Sequence, residues 1–193
     1  EIRTMNTEEL NALKDRAYKT AVEHGFHEEE KSDAYWLGLV MSEAGEAINA
    51  DRKGLHADTK KFDVDLAIFP FDFSFEKQIK DSVEDEIADI IIRLLDFAGL
   101  KGYELRYKNN ITQSDIEFLG LGEGFVADLF YLVGGLSEGL EDDDLELYVC
   151  CLISIFSDRF DEMTGGSDCD LWWFVKQKMK YNELRPKLNG KLY

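Results

Sequence analysis

The stretch Ser82-Val-Glu-Asp-Glu-Ile-Ala-Asp-Ile-Ile-Ile-Arg-Leu-Leu-Asp-Phe-Ala-Gly99 constrains this chain more than any other. Val83, Ile87, Ile90, Ile91, Leu94 and Ala98 recur at helical spacing, which predicts an amphipathic helix with one buried stripe, closed by Gly99 and Gly102. Glu86 and Asp89 stand three apart and so share one side of that helix, at the margin of the stripe rather than opposite it. A surface helix has no need of acids at that margin. A metal site does.

Tyr35-Trp-Leu-Gly-Leu-Val-Met-Ser-Glu-Ala-Gly-Glu-Ala-Ile48 offers a matching half. Ser32 or Asp33 caps it, it should stop near Gly54, and it is expected to bury Leu37, Val40, Met41, Ala44 and Ile48. Glu43 and Glu46 repeat the three-residue separation, and the small Ala44 and Gly45 would let a second helix approach closely. If the two helices pack antiparallel, four carboxylates converge. Two such charges about 5 Å apart repel by about 3 kcal/mol at an effective dielectric near 20. Cations would relieve this, and oxygen-only ligands suit hard ions such as Mg²⁺ or Mn²⁺. The chain carries 40 Asp and Glu in 193 residues, so the same spacing also arises on plain solvated faces, and spacing alone leaves both readings open.

Glu43-Ala-Gly-Glu46 followed by Glu86-Ile-Ala-Asp89 resembles the paired acidic signature of the MazG-like, all-α nucleoside triphosphate pyrophosphohydrolases, a superfamily that includes dimeric dUTPases and phosphoribosyl-ATP pyrophosphohydrolases. Lys178-Met-Lys-Tyr-Asn182-Glu-Leu-Arg185-Pro-Lys-Leu-Asn-Gly-Lys191 is similar to the Lys…Asn…Arg-Pro…His-Gly-Lys tail of many of its members, with Asn189 where histidine is usual. The resemblance covers roughly residues 33–103 and 169–193. It implies an antiparallel all-α bundle. Glu43, Glu46, Glu86 and Asp89 would be metal-binding and catalytic, and Lys178, Asn182 and Arg185 would contact phosphate, with Lys180 and Lys191 as weaker candidates.

The remaining segments read as one all-α domain around that frame. A first helix from Thr7 to about Glu23 begins at an Asn6–Glu9 capping box, buries Leu10, Leu13, Ala17 and Ala21, and ends at Gly25. His24, His27 and His56 lack metal-ligand spacing and read as surface or structural residues. Residues 56–75 show no helical periodicity. Within them Phe69-Pro-Phe-Asp-Phe-Ser-Phe75 alternates aromatics, either as a short extended piece packing one row onto the helices or as a stacking platform for a base. Trp36 is a weaker candidate for base binding. Arg93, four beyond Asp89, reads as its helix salt-bridge partner ahead of a phosphate contact.

Residues 104–168 depart from the family pattern as an inserted helical pair. Phe125, Leu129, Leu132, Val133 and Leu136 mark one helix; Leu147, Val149, Cys150, Ile153, Phe156 and Phe160 mark the other. A degenerate repeat of the acidic helices there would supply in cis what smaller relatives take from a partner subunit. A final helix starts near Asp170, buries Trp172, Val175 and Met179, and ends before Pro186. Its basic tail either neutralises the acidic surface or holds phosphates.

Composition narrows the function classes. A net charge of −18 opposes binding of nucleic-acid polymers or anionic membranes through the bulk surface. No apolar run reaches the roughly 18–20 residues that span a bilayer. No basic region followed by an apolar run marks the N-terminus, and the odd cysteines Cys150, Cys151 and Cys169 fit a reducing compartment, so a cytoplasmic protein is expected. The resemblance implies a Mg²⁺-dependent hydrolase that converts an NTP or dNTP to the monophosphate and pyrophosphate, acting as a homodimer or higher homo-oligomer. The competing reading is a non-catalytic helical interaction protein that keeps the fold.

Overall fold

Side-chain caps set where the long helices begin. Asn6, Ser32, Ser82 and Asp170 each accept a hydrogen bond from the backbone N–H three residues on, satisfying a donor that the first turn leaves open. The computed structural model describes residues 5–108, 112, 114, 117 and 119–187. The chain is all-α: the described residues contain eight helices and no strand. These are α1 (Thr7–Glu23), α2 (Asp33–Arg52), α3 (Thr59–Leu66), α4 (Phe71–Gln78), α5 (Val83–Lys101), α6 (Phe125–Glu141), α7 (Leu145–Thr164) and α8 (Leu171–Glu183). None is long and apolar enough to cross a membrane.

Helix α5 is the hub, packed against α1, α2, α7 and α8. The apolar stripe broadens accordingly: Leu95 and Phe97 are buried along with Ile87, Ile90, Ile91 and Leu94. Each such side chain contributes about 1.5–3 kcal/mol relative to exposure. Lys101 pairs with Asp33 at 2.8 Å and Arg93 with Glu43 at 2.9 Å, so α2 and α5 run antiparallel. Helix α1 is also antiparallel to α5, because Asn11 Nδ2 donates to Leu105 O and Lys14 Nζ to Tyr103 O, each 2.8 Å away. Gly99 lies inside α5, where a Cβ would collide with Tyr18 of α1; the helix closes instead at Gly102, with φ of 70°.

Residues 56–75 differ from the aperiodic expectation, since α3 and α4 occupy them. Eight-residue helices are too short to display a period. An aromatic at every second position also places Phe71 and Phe75 one turn apart: Phe75 is fully buried and stacks on Tyr181 at 4.6 Å, while Phe69 and Phe73 point outward. The α2 stripe is rotated too. Met41 is 56% exposed, and Ala47 and Ala50 are buried in its stead. Ala44 sits in the packed face, but Gly45 is exposed and approached by nothing.

Helices α6 and α7 pack on each other, α6 on α2 and α7 on α5, so this pair extends the same core. Asp128–Arg159 and Gly139 against Tyr148 make this pair antiparallel. Leu147, expected inside, is 54% exposed.

Candidate functional site

The first turn of α5 buries three consecutive acids, and each meets a different environment. Glu84 accepts from Ala57 N at 3.0 Å and lies 3.0 Å from His56 Nδ1, tying the loop after α2 to the hub. Asp85, 1% exposed, holds Lys178 Nζ at 2.7 Å and Asp81 N at 3.0 Å, both through Oδ2. Glu86, 4% exposed, has its Oε2 buried with no hydrogen-bond partner.

Antiparallel packing brings α2 to this turn. Glu43, Glu86 and Asp89 each offer a carboxylate oxygen, and these lie within 4.8 Å of one another. Glu46 lines the same cleft but is exposed and stands outside that triad. Arg93 does not pair with Asp89: its Nε donates to Glu43 Oε1, across the helix interface. Asp89 is taken by Lys178, whose Nζ lies 2.7 Å from Asp89 Oδ2 as well as from Asp85.

The electrostatics follow from burial and crowding. Desolvation, then the neighbouring Asp89 and Asp85 carboxylates, push Glu86 up to about 8. Burial, then the Asp89 carboxylate, raise Glu43 as well, against the pull of Arg93. Burial holds Asp85 at about 6 despite the Lys178 ammonium. Burial pulls Lys178 down, but Asp85 and Asp89 outweigh it and keep the ammonium charged.

Above the acids opens a cleft of about 180 Å³ between α1, α2, α5 and α8. Lys178, Asn182 and Arg185 all line it, as the shared face of the last helix requires, though Lys178 is engaged by the acids. Lys180 is elsewhere: its ammonium lies 3.9 Å from the centroid of the Phe71 ring and does not line the cleft. Trp36 is 5% exposed, packed between His27 and Tyr35, and does not line it either. Lys191 lies outside the described residues.

Several cleft residues escaped sequence reasoning. Lys80 and Asp81 lie in the turn before α5, and His24 and Phe26 follow α1; neither stretch carries a pattern of its own. Asp85 gave one usable signal. Three successive acids exceed what a helix N-terminus needs, and one of them was bound to face inward. His27 is structural, its Nε2 2.7 Å from Asp96 Oδ1 with both side chains buried.

The donor set suits a hard divalent cation: it consists of carboxylate oxygens, and burial of Glu86 Oε2 without a partner is costly unless a proton or cation meets it. Comparison with protein-family models, curated proteins and solved structures finds no significant match to this chain.

Proposed function

We propose that this protein is a Mg²⁺-dependent nucleoside triphosphate pyrophosphohydrolase of MazG-like type. The observation that carries the reading is Glu86, a nearly fully buried carboxylate without a partner for Oε2, converging with Glu43 and Asp89 beneath a cleft whose walls include Arg93, Arg185 and Lys80. A magnesium ion bound there would offset charge developing on the phosphate oxygens. Water displaces pyrophosphate from the α-phosphorus in line, leaving the nucleoside monophosphate.

The chain's own residues divide the work. Glu43, Glu86 and Asp89 would hold the ion, and Glu46, exposed at the cleft wall, would take the attacking water's proton. Lys178 serves as a fixed counter-charge that orients Asp89 through Oδ2 and leaves its other oxygen for the ion. Arg185, Asn182 and Lys80 hold the phosphates. A cleft of about 180 Å³ is smaller than the roughly 300–1,000 Å³ of pockets that enclose a whole organic ligand. It fits phosphates and ions, so the base lies at or beyond the mouth, near Phe26 and His24. Homodimer assembly belongs to the same reading; sedimentation of an active, monodisperse monomer would refute it.

The test is pyrophosphate release from a panel of natural and modified NTPs and dNTPs, with Mg²⁺ and with EDTA. Metal-dependent release together with monophosphate supports the reading. No release from folded, Mg²⁺-binding protein turns the choice to the helical interaction protein.

A further inference from the structure

We propose that Asp81, Asp85 and Glu86 form a second divalent-cation position, sharing Glu86 with the ion held by Glu43, Glu86 and Asp89. The inference rests on the metal reading of the cleft but goes beyond it, because neither Asp81 nor Asp85 belongs to the paired acidic motifs.

An ion held by Glu43, Glu86 and Asp89 would leave one buried oxygen unsatisfied. Asp85 is 1% exposed, and both its hydrogen-bond donors, Lys178 Nζ and Asp81 N, go to Oδ2; Oδ1 is buried with no partner. Asp85 is absent from the Glu43–Glu86–Asp89 triad, so an ion there leaves Oδ1 as it was. A buried, unpaired acceptor of this kind costs more when the group carries charge.

A second convergence lies on that side. Asp81, Asp85 and Glu86 each offer a carboxylate oxygen, all within 4.8 Å of one another. Asp81 lines the cleft and is exposed, so an ion has an entry path, while Asp85 and Glu86 are buried. Lys80 contacts Asp81 through Oδ1 alone, at 2.6 Å, leaving Oδ2 for a ligand bond. Lys178 reaches Asp85 on Oδ2, which leaves Oδ1 without a donor and open to a cation. Two ions sharing one carboxylate would together offset charge on both the entering and the leaving oxygen of an in-line displacement.

The experiment titrates metal-free protein with Mn²⁺ alone and follows free and bound ion by electron paramagnetic resonance. Two Mn²⁺ per chain, with the splitting of a magnetically coupled pair, are expected. Asp81→Asn, an exposed change that spares the core, should weaken one site more than tenfold and abolish the coupling while the other site stays intact. Glu43→Gln should do the converse. Asp85→Asn should match Asp81→Asn, with folding checked by circular dichroism. A single Mn²⁺ per chain, or binding unchanged in Asp81→Asn, overturns the second position and leaves the Glu43–Glu86–Asp89 site standing. No bound Mn²⁺ at all overturns both.

Discussion

Glu86 and Asp128 are buried to nearly the same degree, 4% and 3% exposed, each in the first turns of a long helix, yet their surroundings are opposite in kind. Both oxygens of Asp128 are met from within the fold: Gly122 N donates to Oδ1 at 2.7 Å and Arg159 Nη2 to Oδ2 at 3.1 Å. Glu86 faces further carboxylates, and its Oε2 meets no donor. Burial of an acid therefore says little by itself. What separates a structural carboxylate from one that awaits a ligand is whether the chain supplies the partner.

The contrast breaks most visibly on the structural side. Asp128→Ala strands the Arg159 guanidinium, 6% exposed, with the solvent-facing Glu162 as its remaining ion-pair partner among the described residues. The expected loss is about 3–5 kcal/mol in urea unfolding, the same with and without Mg²⁺. A loss below about 1 kcal/mol, or one that Mg²⁺ repairs, would remove the distinction.

On the other side the signs invert. Glu86→Gln removes a ligand and should lower Mg²⁺-dependent pyrophosphate release by more than about 100-fold, beyond the usual cost of losing a residue that merely supports a ligand. The same change relieves charge crowding, so the metal-free variant should melt no lower than the wild type. Wild-type turnover in Glu86→Gln would sink the assignment of the site.

How far such a contrast is legible in sequence depends on distance along the chain. The cap at Asn6, the start of α2 at Ser32, the shared side of Glu86 and Asp89, and the common face of Lys178, Asn182 and Arg185 all follow from local spacing, and spacing is what a helix preserves. That α2 would run antiparallel to α5 and bring Glu43 to Glu86 and Asp89 was a condition that spacing left open. Partner choice across helices is different. Nothing in the sequence around Arg93 says that it will cross to Glu43 rather than turn back to Asp89, because Lys178, 89 residues further on, has already claimed that aspartate. The short helix α4 was hidden for a second reason: an alternation of aromatics satisfies a two-residue repeat and a one-turn pairing equally well.

Acidity supplies a third test. In metal-free protein Glu86 titrates near 8, well above the 4.5 of an unfolded glutamate. Between those values the folded state holds a proton that the unfolded chain has released, so stability falls as pH rises from about 4.5 to about 8. On the proposed reading Mg²⁺ would take the proton's place, and its stabilisation should grow across the same window, toward about 2.7 kcal/mol at a hundredfold excess over its dissociation constant. Differential scanning fluorimetry should give a metal-induced rise in Tm of several degrees at pH 8 and less at pH 5, at roughly 2–4 °C per kcal/mol. A shift independent of pH would mean that the ion binds away from Glu86. For Asp128→Asn the pH dependence of the Mg²⁺ effect should be that of the wild type.

The smallest expected effect is at Lys180, and it probes whether the basic tail acts as a diffuse charge or through individual contacts. Lys178 and Lys180 are two residues apart on α8 and so point away from each other: the first is 4% exposed inside the acid cluster, the second lies over the Phe71 ring in solvent. A tail that merely neutralised the acidic surface would make the two lysines interchangeable. The geometry makes them unequal. Lys180→Ala should cost no more than about 0.5–1 kcal/mol, the worth of an exposed cation–π contact, and leave pyrophosphate release within about twofold of wild type. Lys178→Met removes the cation that bridges Asp85 and Asp89, and it should raise the Mg²⁺ concentration needed for half-maximal release while Lys180→Ala does not. Equal responses from the two variants would mean that overall charge, not the position of one ammonium, is what the tail contributes.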